Sequence, residues 1–242
     1  MPLTLYRAAL GTGFLFAMTT LGAAMVFFFV REPEVRFQKA MLGFAAGIMT
    51  AASVWSLLLP AIEQGEGLGF PGWLPACAGM LAGCVFLASL DAVLPLLRME
   101  RTQTTLLITA ITLHNIPEGM AVGLACAVAG SGSAAGAAAL AFGIGVQNFP
   151  EGAAVSLPMR SAGRGRAFLH GTLSGAVEPV FGLLAACAAG TAALMPWLLS
   201  FAAGAMLYVV ADELVPQAQS RAGTCGYLAG FLLMMTLDTA LG

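Results

Sequence analysis

The chain has 242 residues, of which 59% are hydrophobic and 9% charged, with a net charge of −2 and a mean hydropathy of +0.89. A surface this apolar is not that of a water-soluble domain, and ten scattered Lys and Arg give nucleic acid no basic patch to hold. What remains is an all-α integral membrane protein, expected as one transmembrane domain over residues 1–242.

A bilayer core of about 30 Å takes about 20 apolar residues at about 1.5 Å each. By that rule the chain divides into eight expected spans: 5–30, 39–60, 72–97, 104–129, 134–158, 167–190, 194–217 and 223–241. The first has no cationic stretch before it and is too long for the apolar part of a signal peptide, so it is read as a retained membrane helix. The breaks between spans carry Gly, Pro and charge: Arg31 to Glu34, Gly65 to Gly72, Gly130 to Ser133, Gly163 to Arg166, Pro196 and Arg221 to Gly223.

Basic residues set the orientation. Arg31, Arg36, Lys39, Arg98, Arg101, Arg160, Arg164, Arg166 and Arg221 all fall at connections after odd-numbered spans, and only Arg7 falls on the other side. Positive charge accumulates on the cytoplasmic face, so these connections are expected there and both termini on the extracytoplasmic side. The cysteines at 77, 84, 126, 187 and 225 form no CxxC pair and are read as small buried apolar residues.

Spans 4 and 5 carry one stretch written twice. Leu113-His114-Asn115-Ile116-Pro117-Glu118-Gly119 returns as Val146-Gln147-Asn148-Phe149-Pro150-Glu151-Gly152. Successive spans run in opposite directions, so the copies form an inverted pair, a recurring arrangement at transporter binding sites. Each copy sets a carboxylate in an apolar run, where a charge costs roughly 2.5 to 3.5 kcal/mol. Seven acidic residues fall inside expected spans: Asp91, Glu118, Glu151, Glu178, Asp212, Glu213 and Asp238. With no Lys or Arg in the membrane to neutralise them, they are protonated, line water or hold a cation.

Depth separates these groups. His114, Glu118, Gln147, Glu151 and Glu178 lie 10 to 17 residues into their spans, near the bilayer midplane. Residues four apart share a helix face, which pairs His114 with Glu118 and Gln147 with Glu151; Asn115 and Asn148 can face the same cavity. Pro117, Pro150 and Pro179 have no N–H for the carbonyls of Leu113, Val146 and Gly175, which leaves those oxygens available to water or a cation. Imidazole, carboxylate and carboxamide donors suit Zn²⁺, Fe²⁺ or Mn²⁺. Met49 reaches the same depth in span 2, as a core side chain or a thioether ligand. Asp91, Asp212 and Glu213 lie towards cytoplasmic ends, and His170 near the cytoplasmic start of span 6. Glu63, Glu66 and Asp238 lie near the outer face, where their charge attracts cations.

At these residues the chain resembles the ZIP (Zrt-, Irt-like protein) family of divalent metal transporters. His114 to Gly119 is similar to the family's fourth-helix HNxPEG motif, Gln147 to Gly152 to its fifth-helix counterpart, and Ser174-Gly175-Ala176-Val177-Glu178-Pro179 to its sixth-helix motif. Weaker similarity extends over Ala45 to Ser53, Leu90 to Pro95, Asp212 to Pro216 and Met234 to Asp238. The resemblance implies eight helices in a 3+2+3 arrangement, with metal moved into the cytosol through a central, often binuclear site. Carried over by position, it implies one metal on Met49, His114, Glu118, Gln147 and Glu151. A second would share Glu118, Gln147 and Glu151 and add Asn115 and Glu178. Many members have a long His-rich connection between spans 3 and 4; here Leu97 to Thr104 has no His.

The expected substrate is zinc, with Fe²⁺, Mn²⁺ and Cd²⁺ as further candidates. No organic cofactor and no nucleic acid is expected. The surroundings are the lipid bilayer, with the plasma (inner) membrane of a bacterium as the expected location and a homodimer as a candidate assembly. Two other classes compete: an intramembrane metalloenzyme, disfavoured because the only two His stand 56 positions apart with no HExxH, and a proton-coupled carrier of organic solutes.

Overall fold

The computed structural model describes residues 3–28, 34–93, 103–128, 134–189 and 192–241, and every regular element among them is helical. The connections holding Arg31, Arg98 and Arg101, the 130–133 segment and most of the His-free 97–104 connection lie outside the described residues. The helices are α1 Leu3–Ala24, α2 Val35–Ala52, α3 Leu59–Gly67, α4 Trp73–Val93, α5 Gln103–Val128, α6 Ala134–Ser156, α7 Arg164–Gly175, α8 Val177–Ala188, α9 Met195–Val209, α10 Val215–Ala218 and α11 Arg221–Leu241.

Several of these join end to end into longer rods. Among the described residues, five stretches are long and apolar enough to cross a membrane: Leu3–Phe27, Val35–Gly67, Trp73–Leu90, Arg164–Ala188 and Met195–Ala218. Their outward faces are apolar, with Leu81, Leu184 and Leu228 more than half exposed. In water such a surface would be an aggregation hazard, whereas against lipid it costs nothing.

Prolines shape three of the rods. Between α2 and α3, residues Ser53–Leu58 form a wide π turn in which Leu59 donates its N–H to the carbonyl of Val54, five residues back. Val210–Leu214 forms another between α9 and α10, where Val215 donates to Val210. Each turn is followed by a proline, Pro60 or Pro216, whose ring would strike the carbonyl four residues back in a regular helix; widening the turn relieves that clash. The expected sixth span is likewise interrupted. It breaks at Ala176, whose N–H turns back to Leu173 at 3.1 Å, after Gly175 and before Pro179, which cannot bond the Gly175 carbonyl. Glu178 therefore sits in the first turn of α8 rather than in mid-helix.

The rods pack in pairs: α2 on α11, α4 on α9, α1 on α6 and α5 on α8, with α1 also against α5, α7 and α8. Close approach explains the glycines where it matters. A Cβ at Gly119 would lie 2.6 Å from Glu178 Cα and overlap the Glu178 carbonyl oxygen, so α5 and α8 touch backbone to backbone. A Cβ at Gly152 would overlap the carbonyl oxygen of Thr19, so α1 and α6 do the same. Small residues allow such contacts, and in lipid, where apolar burial drives little helix association, they supply much of the packing attraction.

One expectation fails. All five cysteines are free, but only Cys126 is buried: Cys77, Cys187 and Cys225 are exposed and Cys84 is half-buried. In a chain whose exterior is itself apolar, a small apolar residue has no reason to prefer the interior.

Candidate metal centre

Four helices converge on the duplicated motifs. Asn115 and Glu118 come from α5, Gln147, Asn148 and Glu151 from α6, and Glu178 from α8, while α1 covers them. Asn115, Glu118, Gln147, Asn148 and Glu178 are all fully buried and Glu151 almost so. The close contact at Gly119 brings Glu178 against the α5 motif. The two prolines lie inside continuous helices, Pro117 in α5 and Pro150 in α6, so each motif keeps its axis while losing one backbone hydrogen bond.

The polar groups engage one another by halves. Gln147 donates through Nε2 to Glu118 Oε1. Asn148 Nδ2 donates to Glu178 Oε1 at 3.1 Å, and Thr19 Oγ1 donates to the same oxygen at 2.9 Å. Asn115 Nδ2 donates at 2.8 Å to the carbonyl of Ser174, at the end of α7 beside the break. Each carboxamide uses an N–H and keeps its oxygen, and Glu118 and Glu178 each keep one carboxylate oxygen. Asn115 Oδ1, Glu118 Oε2, Gln147 Oε1, Asn148 Oδ1 and Glu178 Oε2 are buried with no hydrogen-bond partner among the described residues.

Leaving a buried polar atom unpaired costs about 1 to 3 kcal/mol, and more when it is charged. Five such oxygens, all acceptors and on three neighbouring helices, are a set of donors that a cation could satisfy. The third carboxylate, Glu151, lies one turn beyond Gln147 on α6 and is almost fully buried. Among the described residues no three His, Cys, Asp or Glu side chains group closely enough to hold an ion by themselves. The carboxamide oxygens are thus an integral part of any ligand set drawn from these residues.

Other expected positions fall in different surroundings. The His114 side chain lies outside the described residues, as does that of Asp91. Met49 is fully buried in the main apolar cluster with Ile48, Ile144 and Met206, on a helix that contacts α6. Asp212 is exposed and Glu213 half-buried, both on the second π turn, and His170 is exposed on α7. Glu63 and Glu66 are exposed. Asp238, expected near the outer face, is 9% exposed and accepts a 2.6 Å hydrogen bond from Ser56 on the first π turn. Two participants escape a reading of spans and spacing: Thr19 and the Ser174 carbonyl. A threonine in an apolar helix carries no local signal, and a free carbonyl becomes visible only once the break at Ala176 is known.

This is a polytopic helical membrane protein with a buried, oxygen-rich polar cluster drawn from two copies of one motif. Residues 96–238 match the family model described as ZIP Zinc transporter. Over 99% of its length the chain is 35% identical to "Zinc transporter ZIP11" of Homo sapiens, covering 98% of that protein. It is 40% identical to "Zinc transporter ZIPB" of Bordetella bronchiseptica, over 97% of this chain and 81% of the relative. With "Zinc transporter GufA" of Myxococcus xanthus it shares 36% identity over 93% of this chain and 94% of the relative. The chain belongs to the ZIP family of zinc transporters.

Proposed function

We propose that this chain moves divalent transition-metal ions, zinc foremost, across a membrane into the cytosol through a binuclear site at mid-depth. The observation that carries this reading is the set of five buried oxygens on Asn115, Glu118, Gln147, Asn148 and Glu178 whose donor halves are already engaged and which lack partners among the described residues. Hard oxygen donors with one imidazole make a borderline site that zinc fills well and that Fe²⁺, Mn²⁺ and Cd²⁺ can also enter. Each of the relatives named above is called a zinc transporter, which favours transport over catalysis.

In this proposal the rods of the fold form eight transmembrane helices in a 3+2+3 arrangement with both termini outside. The lengths of α5, α6 and α11, 26, 23 and 21 residues, support three spans beyond the five apolar stretches. One metal is held by Met49, His114, Glu118, Gln147 and Glu151. The second shares the last three and adds Asn115 and Glu178. Carboxamide oxygens are weak ligands, which suits an ion that must be released after each passage.

Purified protein reconstituted in vesicles, with zinc uptake followed by a trapped fluorescent chelator, tests the reading. Glu118→Ala and Glu151→Ala are expected to abolish uptake while the protein still elutes as a folded species. Uptake at the wild-type rate in both variants would overturn it.

A further inference from the structure

We propose that Thr19, on α1, is a positioning residue for the second metal: it fixes one oxygen of Glu178 so that the other is presented to the ion. This rests on the metal-site reading above and assigns it a residue outside the duplicated motifs and the sixth-helix motif.

The hydroxyl lengths carry the argument. Thr12, Thr50 and Ser53 each donate to the carbonyl four residues back in their own helix at 2.7 Å, the ordinary fate of a hydroxyl in an apolar helix. Thr19 is 3.2 Å from the equivalent Leu15 carbonyl but 2.9 Å from Glu178 Oε1. A hydroxyl has one proton to give, and a carboxylate is the stronger acceptor. Its proton is therefore drawn off the backbone and onto the carboxylate.

Packing leaves Thr19 little alternative. It is fully buried, the Gly152 position lies directly under its backbone, and a Cβ at Gly175 would come within 2.8 Å of its Cβ and Cγ2. The threonine is wedged between α6 and the end of α7, with its hydroxyl held at the start of α8. With Thr19 and Asn148 both on Oε1, the carboxylate cannot rotate freely, and Oε2 is the oxygen left without a partner among the described residues. Groups that orient a metal ligand in this way typically contribute 10- to 100-fold in metal affinity.

The test is zinc binding to the purified full chain in detergent, measured by equilibrium dialysis with zinc chloride. Two ions per wild-type chain are expected. Thr19→Val keeps the shape and removes the hydroxyl; it should weaken one of the two ions at least about tenfold and leave the other unchanged. Thr19→Ser should restore binding. In a Glu178→Ala background, Thr19→Val should cause no further loss, because the group it positions is already gone. If Val does not fold, Thr19→Ala, which only removes atoms, provides the same comparison. Two wild-type affinities in the folded Thr19 variant, or an equal additional loss when Glu178 is absent, would overturn the proposal. Wild-type protein that binds no zinc would instead overturn the metal-site reading beneath it.

Discussion

Gly119 offers the sharpest test of how the site is held, because it carries no ligand atom. In Gly119→Ala the new methyl carbon would lie 2.6 Å from Glu178 Cα and 2.8 Å from its carbonyl carbon, against ordinary contacts of 3.4 to 4 Å. The obstacle is backbone, so no side chain can swing away. Helix α8 must retreat by roughly 1 Å, a displacement well beyond the roughly 0.2 Å tolerance of metal–ligand distances. Overpacking of this kind costs about 1 to 3 kcal/mol of stability, which leaves most folded proteins folded. The expected result is a helical, somewhat less stable protein that loses the ion depending on Glu178 and most of its uptake. Gly13→Ala is the control, since nothing lies within 4 Å of its position and alanine there gains helix propensity. The assay pairs thermal unfolding in detergent with zinc binding. Wild-type affinity for both ions in Gly119→Ala would refute the claim that this contact sets the distance between α5 and α8.

Zinc at about one hundred times its dissociation constant should stabilise the folded protein by about 2.7 kcal/mol, seen as a rise in melting temperature, and a chelator should reverse it. In Glu118→Ala that rise should disappear. Gln147→His replaces a weak oxygen with a strong nitrogen ligand and should tighten zinc binding while slowing turnover, measured as vesicle uptake at saturating zinc; unchanged turnover with tighter binding would show that release is not limited at this residue. Ser56→Ala removes the 2.6 Å bond to buried Asp238 and should lower stability by about 1 to 3 kcal/mol, read from the melting temperature.

The proposed site is legible in the sequence because its background is so uniform. Glu118, Glu151 and Glu178 stand out in apolar runs that have no reason to contain them, and the paired prolines mark where those runs are opened. Helical spacing then places Gln147 with Glu151 on one face, and the fold brings Glu118 and Gln147 into hydrogen-bond contact across two helices. What spacing could not supply were relations between helices distant in sequence. Thr19 meets Glu178 across 159 positions, and the Asn115 bond to Ser174 needs the break at Ala176. The π turns escape a sequence reading for a related reason: Pro60 and Pro216 could equally end or kink their helices, and only packing selects a wide turn. The cysteines show that a burial expectation learned from water-soluble proteins inverts when the solvent is lipid.

The threonines of α1 also bear on how the chain is assembled. This helix precedes in the chain every partner it packs against, α5, α6, α7 and α8, so it must wait in the bilayer while they are synthesised. An unbonded hydroxyl facing hydrocarbon during that interval would be costly. Thr12 already donates to Ala8 within its own helix, and Thr19 lies within reach of Leu15. Thr12 and Thr19 can therefore keep their protons within α1 until α8 brings Glu178 to Thr19. A residue able to hold its proton locally until the site forms lets the earliest-made part of the centre be stable before the rest exists.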